Sequence, residues 1–481
     1  MSVDKDLLLG LIREGRHISR GQRVRLTLLL CGPAILAQLA SVLLEFIDAS
    51  MVGSLGAEAS ASIGLISTTT WIFSGFCIAL AQGFSVQLAH RVGAGDFFGA
   101  RSILRQGIVV VSVFSLVLAL LGVLIADPLP RWLGGEVGIR ADATSYFLIY
   151  AAFLPFMQIG FYGSTMLECS GEMVLPSVLY IVMCVLDVIF NFLLIFPTRL
   201  ISVFGAEFTM PGAGMGVTGA ALGTGIAEVI GAALMMWFLL VRNKNLAVIG
   251  VEEKGSFMPT RECLAKAFDV TGPMWIQNLV MRGAYVASTL IVAPLGAVAI
   301  AANSFAIIAE SFVYMPGYGM GDSATTLVGQ SLGAGRKELA RSFSRITLVL
   351  GVGMMSALAV LMYAFAPQIM ALLSVDPDVV ALGAKCLRLE AFAEAGYAAS
   401  IVAYAACVGA GDTKVPTALN FISVWLVRIC LALVLVPRHG LMGYWIAMLV
   451  ELNVRGLLMV LRISGDKWLK TKLTAQEICN L

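Results

Sequence analysis

Polar side chains interrupt two otherwise apolar segments in the first half of the chain, and their types suit cation chemistry. Asp187 and Asn191 are four residues apart, so a helix places both on one face, and Asp48 lies in an earlier apolar segment. Carboxylate and amide oxygens are ligands for a hard cation such as Na⁺. The same pair suits a proton site, or an interhelical hydrogen bond that only holds a bundle together. For Asp48, the alternative is a helix end at an interface.

A second set of charged residues lies in the other half of the chain. Glu390 and Glu394 are also four residues apart, and such a pair in low dielectric suits the exchange of a proton for a cation. The alternative places Glu390 at an interface and leaves only Glu394 buried. Arg282 needs an acidic partner at its depth, and Glu310 or Glu394 are the predicted partners. We therefore predict a charge cluster here, and its coupling to function stays open.

The composition indicates a membrane protein and excludes several other classes. Of 481 residues, 59% are hydrophobic and 13% are charged, whereas a soluble domain carries about 25% charged residues. No basic stripe suggests nucleic acid, and the nine cysteines occur singly. Because His17, His90 and His439 lie far apart, a zinc site is not expected. Clustered catalytic groups are absent as well, so we predict no enzyme and no cofactor.

Twelve segments are long and apolar enough to cross a bilayer, which takes about 20 residues in a helix. Backbone polar groups in hydrocarbon must be satisfied within a segment, so all twelve are predicted to be helices. The predicted spans are residues 27–50, 60–88, 103–126, 144–168, 174–197, 216–241, 267–293, 298–328, 344–366, 386–408, 415–436 and 441–462.

Positive charge alternates between the connecting loops. Lys and Arg concentrate in the N-terminal segment, the central linker, the tail and the loops after the second and eighth spans. The opposite loops hold few, among them Arg131, Arg140 and Arg199. The positive-inside rule therefore places both termini in the cytoplasm of a multi-pass protein in the inner (plasma) membrane.

The chain repeats itself at an offset of 240 residues: Gly32-Pro33 recurs as Gly272-Pro273, and Gly93-Ala94-Gly95 as Gly333-Ala334-Gly335. Two parallel six-helix lobes, related by a pseudo-two-fold axis along the membrane normal, would bury a cavity between them. The predicted organisation is a cytoplasmic N-terminal segment (1–26), an N-lobe (27–241), a cytoplasmic linker (242–266), a C-lobe (267–462) and a cytoplasmic tail (463–481).

The repeat does not preserve the polar residues of the first half. Ser288 replaces Asp48 in the second copy, and Val427 and Leu431 occupy the positions of Asp187 and Asn191. Folding of a copy therefore does not require these acids, which favours a role specific to the N-lobe.

Several short motifs, in their order and spacing, resemble the multidrug and toxic compound extrusion (MATE) family from about residue 25 to 462. The motifs are Gly32-Pro33 with Gln38, Asp48, Val52-Gly53 and Leu55-Gly56; Gly219 to Thr224; Met315-Pro316 through Gly329 to Gly335; and Gly409 to Pro416.

The resemblance implies twelve helices in two lobes around a V-shaped cleft, and export driven by inward H⁺ or Na⁺. It also implies an N-lobe cation site, to which Asp48 and Thr224 match. In the bacterial branch that has this site, an Asn precedes an Asp by four residues in the fifth span, whereas here Asp187 precedes Asn191. Another branch has a Glu in its seventh span, where this chain has Met281 beside Arg282.

From these observations we expect a monomeric cation-coupled antiporter in the lipid bilayer that exports drugs or other organic-cation-like small molecules by alternating access. Asp48, Asp187, Asn191 and Thr224 are the predicted coupling residues, and the first three are the ligands if the ion is Na⁺. The alternative is a lipid-linked oligosaccharide flippase of the same superfamily, in which more cationic residues would line the central cavity.

Overall fold

The computed structural model describes residues 2–203, 206–250 and 255–469, and helices account for most of them. The helices, in chain order, are α1 (Ser2–Arg13), α2 (Arg20–Gly53), α3 (Ala57–Gly93), α4 (Phe97–Ile125), α5 (Leu129–Trp132), α6 (Val137–Cys169), α7 (Val174–Ile195), α8 (Gly216–Trp237), α9 (Arg261–Val292), α10 (Ala297–Gly333), α11 (Lys337–Leu373), α12 (Pro377–Glu390), α13 (Glu394–Gly409), α14 (Lys414–Phe421), α15 (Cys430–His439) and α16 (Leu441–Ser464).

The predicted spans lie within or overlap these helices, although several helices extend beyond the predicted ends, by as many as nine residues at the start of α12. In the described part of the chain, ten continuous helical segments are long and apolar enough to cross a membrane, and the bent pair α12–α13 makes an eleventh. Helix α16 has 24 residues, which is also sufficient length for a bilayer. The all-helical membrane fold predicted from hydropathy is confirmed.

The internal repeat is visible in the backbone. Three pairs of glycines at the 240-residue offset adopt positive φ angles: 118° and 90° at Gly56 and Gly296, 76° and 71° at Gly95 and Gly335, and 96° and 77° at Gly171 and Gly411. A side chain is strained in this region of the backbone map, so glycine serves the same turn in both copies. The two halves therefore use the same turns between their corresponding helices.

The two lobes pack together at one end of the bundle. We call this end the linker face, because α2 begins there, α16 ends there, and residues 243–250 and 255–260, the described parts of the connection between the lobes, lie there. Contacts between lobes run along α3 and α9: Thr271 donates to the Ala79 carbonyl at 3.2 Å, and Asn278 donates to the Gly75 carbonyl at 3.0 Å. We call the opposite end the open face.

Glycines allow very close approach at the linker face. A Cβ on Gly93 would lie 2.0 Å from the Gln330 carbonyl oxygen, and a Cβ on Gly333 would lie 1.9 Å from the His90 carbonyl oxygen. The His90 side chain itself lies 2.9 Å from the Gly409 carbonyl oxygen. The lobes are therefore closed against each other at this end.

Helix α1 lies within the segment that the sequence assigned to a polar N-terminus. Its Leu8, Leu9 and Ile12 are buried with residues of α2, α10 and α11. Lys5 forms an ion pair with Glu172 at 2.6 Å. An amphipathic helix therefore covers the linker face, which the charge count of the segment did not predict.

An antiparallel hairpin of β1 (Pro197–Val203) and β2 (Ala206–Ala213) follows α7 on the open face. The prediction continued the span to residue 197 and placed a loop after it. The guanidinium carbon of Arg199 lies 4.0 Å from the centre of the Phe196 ring, which anchors the start of the hairpin to the end of the helix.

Two C-lobe spans are irregular. Helices α12 and α13 meet at a bend of 57°, so Glu390 ends one helix and Glu394 begins the next. The prediction that both lie one turn apart on one continuous helix is therefore wrong. The intervening residues form tight turns, with the Ala393 amide 2.6 Å from the Glu390 carbonyl oxygen. Between α14 and α15, residues Ile422–Ile429 form a wider π-helical segment.

Candidate functional site

The predicted N-lobe residues meet between α2, α7 and α8. The side-chain nitrogen of Asn191 donates to Asp48 Oδ1 at 3.0 Å and to Asp187 Oδ2 at 3.3 Å. Asp187 and Asn191 share one face of α7, as their spacing predicts. Asn191 therefore bridges two carboxyl groups from different helices.

The start of α2 is fixed by a capping box. Ser19 accepts from the Gln22 backbone amide, and the Gln22 side chain accepts from the Ser19 amide. Apolar residues of the same helix, including Leu26, Leu30 and Val42, are buried against the bundle. The helix continues without a break to Gly53, so Asp48 lies on a rigid element near the open face.

Small residues bring α8 against α7 at the site. A Cβ on Gly223 would lie 2.1 Å from Asn191 Oδ1, and a Cβ on Gly219 would lie 2.5 Å from the Leu194 carbonyl oxygen. This close approach places Thr224 near enough to influence the charge of the Asp187 carboxyl. All four residues predicted for the N-lobe are therefore brought together.

Two oxygens of the site have no hydrogen-bond partner among the described residues. Asp187 Oδ1 and Asn191 Oδ1 are both buried, and each residue is only 1% exposed. Buried oxygen atoms are rarely left in this state, because the loss of water costs about 1–3 kcal/mol for each group. A proton or a small cation is the kind of species that satisfies such atoms.

Glu228 of α8 was not among the candidate residues predicted from the sequence. Glu228 acts electrostatically on Asp187, and it lies four residues after Thr224 on the same helix. This four-residue spacing places both side chains on one face of α8, so Glu228 could have been predicted from the sequence to lie near the site. Tyr146 of α6 is also close to the pair Asp48 and Asp187.

The described residues contain no cluster of three or more His, Cys, Asp and Glu side chains with the geometry of a metal site. The N-lobe site instead combines two carboxyl groups with an amide and a hydroxyl. Such a set matches the hard-oxygen chemistry of a Na⁺ or proton site and does not resemble the nitrogen and sulfur ligands of a transition-metal centre.

The C-lobe acids form a second buried group around Glu451. Arg428 reaches Glu451 Oε2 at 2.5 Å, Arg455 reaches Oε1 at 3.0 Å, and Ser423 donates to Oε1 at 2.8 Å. The π-helical segment of span eleven carries both Ser423 and Arg428. Two arginines thus share one carboxylate.

Three further glutamates surround this ion pair. Glu390 and Glu394 are fully buried, and none of their carboxyl oxygens has a hydrogen-bond partner among the described residues. The alternative that Glu390 lies at an interface is therefore wrong. Glu310 is also buried, and the charges of Arg428 and Arg455 act on it. We call Glu310, Glu390, Glu394, Arg428, Glu451 and Arg455 the C-lobe charge cluster.

Arg282 is not part of this cluster, so the predicted pairing with Glu310 or Glu394 is wrong. Its guanidinium carbon lies 4.9 Å from the centre of the Trp71 ring in the N-lobe. Glu45 of α2 is the acid that acts on its charge. The side chain extends from α9 toward the other lobe, and arginines of α14–α16 already neutralise Glu451 in the interior of the C-lobe.

A family model described as MatE matches residues 33–193 and, a second time, residues 273–434. The two matches begin 240 residues apart and together cover more than half of the chain. The chain belongs to the MatE family. The resemblance drawn from its short motifs is confirmed, and the duplicated halves are two copies of the MatE unit.

Curated MatE relatives align along nearly the whole chain. A probable multidrug resistance protein NorM of Thermotoga maritima is 24% identical over 447 residues, covering 92% of this chain and 93% of the relative. The multidrug resistance protein MdtK of Yersinia pestis is 25% identical over 463 residues, covering 94% and 96%. The alignments therefore span most of the length of this MatE chain and of both relatives.

Solved MatE structures share the fold. A mutant of the Vibrio cholerae MATE transporter VcmN superposes with a TM-score of 0.84 at 19% identity, covering 94% of this chain and 99% of that one. The two-lobe helical architecture of this MatE protein is therefore established. Family membership, the named relatives and the membrane-spanning helices identify the chain as a multi-pass membrane transporter. Identity at this level describes the fold alone, so the roles of its residues rest on their own geometry.

Proposed function

We propose that this protein exports drug-like small molecules by antiport against an inward flow of H⁺ or Na⁺. The names of its relatives, NorM and MdtK multidrug resistance proteins, support drug efflux. The observation that supports the coupling is the arrangement of partly buried Asp48 with buried Asn191 and Asp187, in which two carboxyl groups face one amide donor.

Cation uptake changes the balance of forces in this site. Without a bound cation, two carboxylates in a medium of low dielectric repel each other and have one amide nitrogen between them. A proton on either carboxyl, or a Na⁺ ion between their oxygens, removes the repulsion. The side chains of Asp48, Asp187 and Asn191, which connect α2 and α7, then repack. Thr224 of the neighbouring α8 lies beside them.

A movement of these side chains also shifts the backbone of a helix. Gly223 lets α8 approach Asn191 so closely that a movement of the amide group must shift one helix or the other. A cation changes the transport state only if it binds the two states with different affinity. We propose that the cation-bound N-lobe closes around the site and weakens binding of the exported molecule in the cleft.

The orientation follows from loop charge. With both termini in the cytoplasm of the inner membrane, the linker face is cytoplasmic, and the open face is external. The present state is then closed to the cytoplasm. We further propose that one chain is a complete transport unit, because both lobes lie in it and the N-lobe site needs no second copy.

The flippase alternative expects several cationic side chains in the cleft. Among the described arginines of the C-lobe spans, Arg428 and Arg455 are paired with Glu451 and do not supply that charge, whereas Arg282 lies beside Trp71 where the lobes meet. One such arginine does not make the several cationic side chains that a flippase is expected to have. None of the relatives reported above bears a flippase name. Drug export is therefore the function that these observations favour.

Transport by the purified protein in liposomes tests this proposal. A fluorescent organic dye is trapped inside, and its movement is followed after a proton gradient or a Na⁺ gradient is imposed separately. We expect dye movement opposite to one ion and its loss when an ionophore collapses that gradient. Dye movement that is the same with and without either gradient would reject antiport.

A further inference from the structure

Arg282 differs from Arg428 and Arg455 in the C-lobe interior because it has no ion-pair partner among the described residues. Arg428 and Arg455 are paired with Glu451, as expected for charges in a membrane interior. Arg282 makes no ion pair with an acid in the described part of the chain. It is only partly buried, and its guanidinium carbon lies 4.9 Å from the centre of the Trp71 ring in the other lobe.

The surroundings of Arg282 combine aromatic rings from both lobes. Trp71 of α3 and Tyr285 of α9 lie edge to face, with ring centres 6.1 Å apart. Tyr314 and Tyr318 of α10 also act on the guanidinium charge, and their own ring centres lie 6.2 Å apart. We call Trp71, Arg282, Tyr285, Tyr314 and Tyr318 the aromatic–arginine site.

The site lies where the contacts between lobes end toward the open face. Along α3, inter-lobe contacts proceed from Gly83 through Phe76 and Gly75 to Trp71. Trp71, Tyr285 and Tyr318 keep 40%, 44% and 43% of their surface exposed. A guanidinium and the nearby Glu45 carboxylate are not stable against lipid tails, so this exposed surface borders the cleft.

We propose that the aromatic–arginine site binds the anionic group of the exported molecule, so that the preferred substrates are aromatic carboxylates and aromatic zwitterions rather than organic monocations. This inference rests on the proposed transport function and names its substrate class. An arginine fork matches a carboxylate with two parallel hydrogen bonds. The ring of the ligand packs on Trp71 and Tyr285, and an ammonium group of a zwitterion faces Glu45.

The position between the lobes makes this binding dependent on conformation. Arg282 belongs to α9 of the C-lobe, whereas Trp71 and Glu45 belong to α3 and α2 of the N-lobe. When the lobes move apart at the open face or the linker face, the two parts of the site change their separation. A ligand that contacts both parts therefore has different affinity for the two states, as coupled transport requires.

A matched pair of dyes tests the substrate class. A rhodamine methyl ester is a monocation, and the corresponding free acid differs only in its carboxylate. Binding of each dye to the purified full-length protein in detergent is measured by fluorescence anisotropy. We expect tighter binding of the free acid, and Arg282→Gln should weaken free-acid binding about ten- to hundredfold while binding of the ester is unchanged or tighter.

Two control variants distinguish recognition of the ligand's carboxylate from a general structural effect of losing an arginine. Arg388→Gln removes an arginine that also lies over an aromatic ring, 5.7 Å from the centre of Tyr363, but on α12 away from the lobe contact. It should leave both affinities unchanged. Arg282→Lys keeps the charge without the fork and should restore part of the free-acid affinity.

Equal loss of both dyes in Arg282→Gln, or no loss of either, would overturn the inference. If that variant does not fold, the two affinities of the wild-type protein still test the inference, because weaker binding of the free acid than of the ester contradicts the proposal. Gradient-driven transport of the ester alone would keep the transport function and reject this substrate class. Transport of neither dye under any gradient would count against the transport function itself.

Discussion

Asn191 of α7 donates a hydrogen bond of 3.0 Å to Asp48 of α2, although 143 residues separate them in the chain. The same nitrogen lies 3.3 Å from Asp187. One amide group therefore links two helices through two carboxyl groups. This relationship supports the proposed coupling mechanism and leads to the first prediction.

Asn191→Leu should remove the bridge with little change in side-chain shape. Hydrogen bonds to charged groups contribute about 1.5–3 kcal/mol, so we expect the ion concentration for half-maximal transport to change about tenfold or more. The measurement is dye transport in liposomes at graded ion concentrations.

Asn303→Leu is the matched control for this substitution. Asn303 accepts a hydrogen bond of 3.1 Å from the Trp445 indole in the C-lobe. It should lower thermal stability without a change in ion dependence. The same shift in ion dependence for both variants would show that Asn191 acts only through general stability.

Gly223→Ala should damage the N-lobe site from the neighbouring helix. Its Cβ would lie 2.1 Å from Asn191 Oδ1, so the amide or α8 must move. Overpacking of this kind costs about 1–3 kcal/mol, and we expect a lower melting temperature together with loss of ion-dependent transport.

Gly353→Ala serves as the comparison for that change, because a Cβ at Gly353 has no heavy atom within 4 Å. In an exposed helix interior, alanine is favoured over glycine by about 0.5–1 kcal/mol. Normal transport in Gly223→Ala would mean that close packing at Asn191 is not needed for coupling.

Glu451→Gln should destabilise the C-lobe strongly. It leaves Arg428 and Arg455 buried without their shared carboxylate, and the loss of one partner of a buried ion pair costs about 3–5 kcal/mol. The measurement is thermal unfolding of the purified protein. Glu338→Gln, which removes an exposed partner of Arg341, should have little effect. Equal melting temperatures for the two variants would contradict the structural role of the cluster.

Gly333→Ala should open the linker face. Its Cβ would lie 1.9 Å from the His90 carbonyl oxygen, so the lobes cannot keep their present contact. Cys169 lies at this contact, where its carbonyl accepts from Gln330 at 2.8 Å. In a variant that retains only this cysteine, we expect faster maleimide labelling of Cys169 than in the same background with Gly353→Ala. An unchanged labelling rate would show that the close contact does not keep this face closed.

Most of the spans could be predicted because each is a long apolar run: ten continuous segments and the bent pair α12–α13 are long and apolar enough in the described part of the chain. The repeat appeared as glycines at a fixed offset. Individual helix ends were predicted less well, because several helices continue beyond the apolar run by as many as nine residues. The hairpin after α7 could not be predicted, because its short strands carry little period-two signal. The break between Glu390 and Glu394 was missed as well, because no proline marks it. Gly396 in α13 approaches Gly456 of α16 closely beside the break, and such a contact between helices is not visible in the sequence.

Partners between helices were harder to predict than residues within one helix. The pair Asp187 and Asn191 follows from spacing alone, whereas the approach of Asp48 depends on how α2 rotates against α7. Arg282 was paired with the wrong acids because sequence gives its depth but not the direction in which its side chain points. Its contact with Trp71 depends on how the two lobes pack, which no local pattern encodes.

Binding of a dye to the wild-type protein and to Asp187→Asn, with and without the coupling cation, tests the central claim most directly. Asp142→Asn, a change at an exposed acid, is the control. The account predicts that the cation weakens dye binding to the wild-type and control proteins, and that Asp187→Asn binds the dye with one affinity at all cation concentrations while expression stays normal. An undiminished effect of the cation in Asp187→Asn would contradict it.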